Sequence, residues 1–517
     1  MAKNSKIIIA DNIRVDKDYI NVFDGDMLTV VNAHAIATAN NYSFIRKNRS
    51  LKVNFTYAQC VQANYMAFQN PDYSNRWFFA WIDSIEYVGE NTVEINFTID
   101  SFSTWWNTIT RLPVFVEREN VNDDIFGSHT LPEPIKADMM INQTVVNKYY
   151  SNFSIIVFYT YNQISPADLG YALNNVYYTP CEVNRYDCSQ SGIAALQSDL
   201  AYGNDLNNAN IITINVVPND FLPAAARNIK YLPPLNIQND TIIMPIPTDL
   251  NGYVPVNKKC LMYPYNMITV NNGNVEKTYK YEKFANMVVT GGVPFLISCG
   301  VLPNGAGNVY PMNYDGRTGA NVAESLTLGD LPMVAFPIDS YGAWLAQKSS
   351  GTVVQGIMST LTGAIAGGLK GGYVGAAIGA GAGLIGGVSN YIAQEETARS
   401  EKDNIIGTNN VDLDMVNGYL GFSFTQKCII SDDAERIDRF FSQFGYNVSV
   451  VKQPNYTGRT YWNYVKINGS CGYGQLPEAD REQINRILNK GVTIWHDHAT
   501  LGNYFAGGSK MENPVVI

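Results

Sequence analysis

Charge is scarce in this chain. Only 16% of its 517 residues are Asp, Glu, Lys or Arg, and 46 acids against 36 bases leave a formal charge of −10. Rows of Lys and Arg that track phosphates are missing, which excludes a protein that grips nucleic acid. An acidic wall past which DNA slides without sticking remains open. Cysteine is sparse and odd in number, seven in all, widely spaced and without a CxxC. That excludes a disulfide framework or Cys-rich zinc site and predicts free thiols made in a reducing compartment. The opening MAKNSKIIIADN has too short an apolar run before Asp11 for a signal peptide. Histidine is rarer still, four residues, of which only His496 and His498 stand close in sequence. The pair His496-Asp497-His498 has metal-ligand chemistry, but a polar turn after a strand ending at Trp495 is the favoured reading.

Signatures of catalysis are also missing. No GxSxG or HExxH occurs, and Gly368-Leu-Lys370 lacks the Ser or Thr of a phosphate loop. Gly381-Ala-Gly383-Leu-Ile-Gly386 fits GxGxxG, yet it arises from a glycine-rich run with no acidic residue about 20 positions on to take a ribose. Asp123-Asp124 and Asp432-Asp433 fit a loop and a helix start. No enzyme, cofactor or metal is expected.

The most distinctive feature is a stretch from Ser350 to Gln394 whose only charge is Lys370. Glycine recurs every fourth residue at Gly363, Gly367, Gly371, Gly375, Gly379, Gly383 and Gly387. Each glycine costs a water-exposed helix about 1 kcal/mol relative to alanine. In lipid, small residues four apart let helices approach closely. A spacing of four drifts by about 40° per step on a helix, so one face cannot hold the whole ladder. A break at Leu369-Lys370-Gly371-Gly372 leaves two arms, Thr352 to Gly368 and Tyr373 to Ala393. Each approaches the roughly 17–25 residues that span a bilayer. The expected membrane-active residues are Val353, Val354, Ile357, Met358, Leu361, Gly363, Ile365, Gly367, Leu369, Gly371, Gly375, Ile378, Gly379, Gly383, Leu384, Ile385 and Gly387. A buried helical hairpin or a flexible loop that never meets lipid is the competing reading.

Elsewhere the chain reads as strands. Leu51 to Tyr57, Trp77 to Tyr87 and Thr92 to Ile99 are strand patterns, the last two joined through the turn Val88-Gly89-Glu90-Asn91. Asp100 to Arg118 is expected to leave the sheet. Gly192 to Tyr202 is a predicted helix, and Ile211 to Val217 and Asn286 to Ser298 are predicted strands. Pro233, Pro234, Pro245 and Pro247 mark an extended connection. Gly418 to Lys427 alternates as a strand. A helix follows, capped by Ser431 or Asp432, ended by Gly445, with Ile437, Phe440, Phe441 and Phe444 inward. A second runs from Pro477 to Gly491 with Ile484, Ile487 and Leu488 inward, before a strand Val492 to Trp495.

Several motifs stand in one order along the chain. They are Ala67-Phe-Gln-Asn-Pro-Asp-Tyr-Ser-Asn-Arg-Trp-Phe-Phe-Ala-Trp81, Val116-Glu-Arg-Glu-Asn-Val121, Lys259-Cys-Leu-Met-Tyr-Pro-Tyr265, Ala434 to Tyr446, Lys452-Gln-Pro-Asn455, Asn463-Tyr-Val465, Gly491-Val-Thr-Ile-Trp-His496 and Gly502-Asn-Tyr504. Together they resemble the tail knob, or distal tube, protein of small short-tailed phages of the Picovirinae type; the stretch from Asp123 to Lys258 matches poorly.

The resemblance implies a homo-oligomer, a hexameric tube at the distal end of the tail, meeting the proximal tail tube protein. Its apolar loop plugs the lumen, then is released into the host cytoplasmic membrane as a channel for genome ejection, while DNA passes without specific binding. On this sequence that loop falls on Thr352 to Ala393.

The expected fold is mainly β with α+β parts: a β-rich tube-forming domain from the N- and C-terminal segments, an inserted mixed middle domain and a long apolar Gly-rich loop. The expected divisions are 1–120, 121–340, 341–400 and 401–517. A receptor-binding tail protein, suggested by the Tyr- and Asn-rich middle, and a tail-associated cell-wall hydrolase are the rivals.

Overall fold

Alternation of apolar and polar residues sets the first sheet. In Thr92–Ile99, Val93, Ile95 and Phe97 are buried. The strand pairs antiparallel with the 14-residue Arg76–Gly89, Ile85 opposite Ile95 and Ala80 opposite Ile99. The computed structural model describes residues 5–335 and 421–514, apart from 46–48, 71–73, 151–152, 161–170, 174–175, 179–180, 188–189, 203–210, 222–238, 273–274, 286–290, 300–305, 331–332, 471 and 506–509. The fold is mainly β with α+β parts. The helices among the described residues are α1 (Met27–Ala33), α2 (Tyr57–Cys60), α3 (Ser101–Trp105), α4 (Gln190–Tyr202), α5 (Ser431–Phe444) and α6 (Glu478–Lys490).

The chain divides into two compact units. The first takes Met1–Met139, Asp249–Tyr265 and Ile429–Ile517, so both ends of the chain build it. It holds a seven-stranded sheet in the order Ala35–Ala39, Ile7–Ala10, Tyr65–Asn70, Arg76–Gly89, Thr92–Ile99, Ser50–Val53, Tyr42–Ile45. A five-stranded sheet runs Asn21–Phe23, Val492–Trp495, Trp462–Asn468, Val114–Glu119, Tyr446–Lys452. Asn21–Phe23 lies parallel to Val492–Trp495, joining the two ends of the chain. One core fills this unit, with Ile9, Tyr65, Phe79, Phe102, Trp106, Trp462, Ile494 and Trp495 among its buried residues. Burying each such aromatic contributes several kcal/mol, judged by the about 3–5 kcal/mol lost when one is cut to alanine.

The second unit is Met140–Thr248 with Asn266–Cys428. Its larger sheets each have four strands. One runs Met140–Tyr149, Gly421–Ile429, Asn266–Asn271, Glu276–Tyr279; another Cys181–Asp187, Phe153–Thr160, Ile211–Pro218, Met333–Ala335; a third Asp240–Met244, Val293–Cys299, Ala306–Pro311, Leu326–Asp330.

Local rules explain where the sequence pattern was outvoted. The predicted strand Leu51 to Tyr57 stops at Val53, because Thr56 and Gln59 form a capping box that starts α2. The predicted strand from Asn286 begins at Val293 among the described residues. Asp100 to Arg118 leaves the sheet as expected: Asp100 accepts from the Ser103 N–H and starts α3. The predicted α4, α6 and the strand Ile211 to Val217 are present. Helix α5 also ends at Gly445 as expected, but Ile430 occupies its N-cap and no side chain caps it.

Candidate functional site

The seventeen expected membrane-active residues, Val353 to Gly387, and the GxGxxG match within them lie outside the described residues. The chain enters that stretch from Met333–Ala335 and returns at Gly421–Ile429. Among the described residues no helix is long and apolar enough to cross a membrane.

The remaining motifs converge in the first unit. Helix α5 turns Ile437 and Phe441 into the interior, as its spacing dictates, but Phe440 and Phe444 are only half buried. Asp438 and Ser442 are buried instead. One carboxylate explains this. Asp438 Oδ2 accepts from Tyr253 Oη at 2.9 Å and Val256 N at 2.9 Å. Its Oδ1 accepts from Asn257 N at 2.9 Å and Asn257 Nδ2 at 2.8 Å. Asn257 Nδ2 also reaches Ser442 Oγ at 2.8 Å. A segment 181 residues away is thereby fastened to α5. The buried Cys260 thiol lies beside the same carboxylate, and burial first, then Asp438, pushes its pKa well up, so it is an inert thiol.

The Lys259-to-Tyr265 motif continues the fastening. Lys259 Nζ meets Glu133 Oε1 at 2.6 Å and donates to Leu131 O at 2.7 Å. Glu133 Oε2 takes Arg118 Nη1 at 2.6 Å, and Glu133 Oε1 accepts from Asn447 N at 3.0 Å. Arg118 then donates through Nε to Phe444 O at 3.0 Å and through Nη2 to Gly445 O at 2.6 Å. A cation thus sits on the carbonyl end of α5, where the helix dipole favours it. Gly445 has φ +65°, and a Cβ there would fall 2.0 Å from Glu119 O. Glu119 Oε2 accepts from Asn455 N at 2.7 Å, and Asn120 Oδ1 from Tyr464 N at 2.6 Å. Motifs hundreds of residues apart in sequence are therefore direct neighbours.

The acid pairs find structural uses. Asp124 accepts from Lys258 N at 2.9 Å and Tyr446 Oη at 2.7 Å. Asp433 accepts from Asp138 N at 2.8 Å; its hydrogen bond to Arg436 holds its carboxyl below the usual range. His496 lies between Asp24 (Nδ1 to Oδ1 3.1 Å) and Asn463 (Nε2 to Oδ1 3.0 Å), while Asp497 starts a 3₁₀ turn at His498–Thr500. Among the described residues no group of three His, Cys, Asp or Glu is placed for a metal. A cavity of about 240 Å³ beside α5 is lined by Tyr253, Asp438, Arg439, Phe505, Lys510 and Glu512, among others. Sequence reading missed Asp438, Asn257 and Glu133. The available signal was Asp438 itself, an acid three residues before Phe441 and next to Ile437, inside the apolar face.

Asp438, Glu133, Glu119, Asp124 and Asp433 each accept from donors on segments distant in sequence, which is the chemistry of a scaffold. The chain is a structural tail protein of a phage virion: residues 3–110 match the family described as Caudoviral major tail protein N-terminus. Residues 235–507, over half the chain, match the family described as Bacillus phage phi29, Tail knob protein gp9, C-terminal domain, and the chain belongs to that family. It is 24% identical to Tail knob protein gp9 of Bacillus phage phi29, covering 89% of this chain and 90% of the relative. It is 22% identical to Tail knob protein gp9 of Bacillus phage B103, covering 90% of each. The solved tail knob protein gp12 of bacteriophage C1 shares the fold, with a TM-score of 0.57 and 11% identity over 99% of this chain and 100% of that one. Its relatives are structural proteins, and its role is not enzymatic.

Proposed function

We propose that this chain forms the distal tail tube as a homo-oligomer, a hexamer, whose segment Thr352 to Ala393 plugs the lumen and then enters the host cytoplasmic membrane to open a path for the genome. The observation that carries the reading is the nearly uncharged glycine ladder from Ser350 to Gln394, set in a member of a tail knob family. Glycines four apart allow close helix packing in lipid. Pooled arms from several copies satisfy backbone groups that a lone Gly-rich segment would leave unpaired in hydrocarbon. In this reading, the wall of the tube comes from the N- and C-terminal segments, and the proximal tail tube protein is the neighbour. The chain's net charge of −10 suits a lumen that DNA passes without binding.

Liposome leakage tests it. The intact protein is expected to release an encapsulated dye, and a chain lacking Gly351–Gln394 is expected not to. Equal leakage by both overturns the membrane role of the ladder. Particle images of the intact protein test the assembly separately: a six-fold ring with a central hole is expected, and any other symmetry discards the hexamer.

A further inference from the structure

Three of the four histidines gather at one place in the first unit, around Phe23 to His34 and Trp495 to Thr500. His496 is paired with Asp24. His498 has no such partner. Its ring packs edge-on against Phe23 at 5.7 Å and lies 6.3 Å from the ring of His34, which caps the C-terminus of α1. Its Nε2 is buried and has no hydrogen-bond partner among the described residues. The charged groups that face it are Arg14, His34 and Asp497. Arg14 is anchored beside it, donating from Nη1 to Ala499 O at 2.8 Å. The one opposing charge among the described residues, Asp497, accepts from Ala499 N at 2.9 Å.

We propose that the His34–His498 contact is an acid-sensitive latch, which holds the turn His498–Thr500 against Phe23–His34 near neutral pH and lets go on acidification. A proton on Nε2 would meet no acceptor there among the described residues, and would face the Arg14 guanidinium and the His34 ring. Unpaired buried charge of this kind is expelled rather than tolerated. Burial first, then His34 and Arg14, lowers the His498 pKa in the folded chain. A lowered folded-state value means the unfolded turn binds the proton more readily. The contact's stability is therefore complete above the ordinary histidine value of about 6.5 and is lost as pH falls below it towards the depressed folded value.

Hydrogen exchange of the intact protein, corrected for intrinsic rates, compares pH 7.5 with pH 5.5. Peptides covering 23–34 and 496–501 are expected to lose protection by up to roughly tenfold at the lower pH, which lies about one unit below the ordinary histidine value, while Thr92–Ile99 keeps its protection. His498→Phe retains a ring against Phe23 and carries no proton, so its protection is expected not to change with pH. His34→Gln removes the facing imidazole ring and is expected to reduce the acid effect; it decides the matter should His498→Phe not fold. Equal protection of the wild type at both pH values overturns the latch, and so does an acid loss undiminished in the variants.

Discussion

Asp438 shows how much one side chain does here. It stands on the apolar face of α5 and collects the Val256 and Asn257 amides together with the Tyr253 hydroxyl. Removing it leaves the buried Asn257 donors without this acceptor, at about 1–3 kcal/mol each. Asp438→Ala is expected to cost about 3–5 kcal/mol, read from the shift in the urea midpoint; a change within about 1 kcal/mol would show that water replaces the carboxylate. Asp438→Asn keeps one acceptor but turns an amide nitrogen towards a backbone N–H, and should fall between. The residue was legible only as an anomaly. An acid between Ile437 and Phe441 contradicts the helix's periodicity, but nothing local names a partner 181 residues away. Glu133 was less legible still, because it sits in a loop and its partners Lys259 and Arg118 come from separate segments.

Elements were legible where local chemistry decides them. Gly445 and Gly491 end α5 and α6 with φ of +65° and +93°. Their surroundings separate them. A Cβ at Gly445 meets backbone at Glu119, whereas one at Gly491 meets the hydroxyl end of Tyr464, at 2.2 Å. Backbone cannot yield as a tyrosine tip can. Gly445→Ala is therefore expected to lower stability by about 3 kcal/mol or more, and Gly491→Ala by about 1–2 kcal/mol, close to the left-handed penalty alone. Thermal unfolding of both variants measures the order, and a reversed order refutes the argument. The N-terminus of α5 escaped sequence reading for the converse reason. Its cap position holds Ile430 rather than Ser431 or Asp432, and the side chain of Asp433, an acid in the first turn, accepts from the amides of Asp138 and Met139.

At the scale of the whole molecule, pattern gave the class and not the partition. The alternation read over Thr92 to Ile99 and Gly418 to Lys427 is plain in the sequence, and the described strands there are Thr92–Ile99 and Gly421–Ile429. That Asp249–Tyr265 rejoins the first unit is not, because its fastening depends on Asp438 and Glu133 rather than on periodicity. The five-stranded sheet draws three strands, Tyr446–Lys452, Trp462–Asn468 and Val492–Trp495, from the C-terminal segment. A fragment 1–139 keeps the seven-stranded sheet but loses Trp462, Ile484 and Trp495 from the shared core. It is expected to show secondary structure by far-ultraviolet circular dichroism without a cooperative thermal transition. A sharp transition like that of the intact chain would mean that the first 139 residues fold by themselves.

The parallel pairing of Asn21–Phe23 with Val492–Trp495 sets an order of events during synthesis. At roughly 5–20 residues per second, translation reaches the second strand on the order of half a minute or more after the first. Until then the backbone of the N-terminal strand has no strand to pair with, and the Gly-rich ladder has already left the ribosome. Closing so long a loop is entropically costly, and prior folding of the second unit shortens the free chain that must be closed. The last sheet to complete is thus one whose first strand was among the earliest made, and a chain interrupted after the ladder carries both an open sheet and a finished ladder.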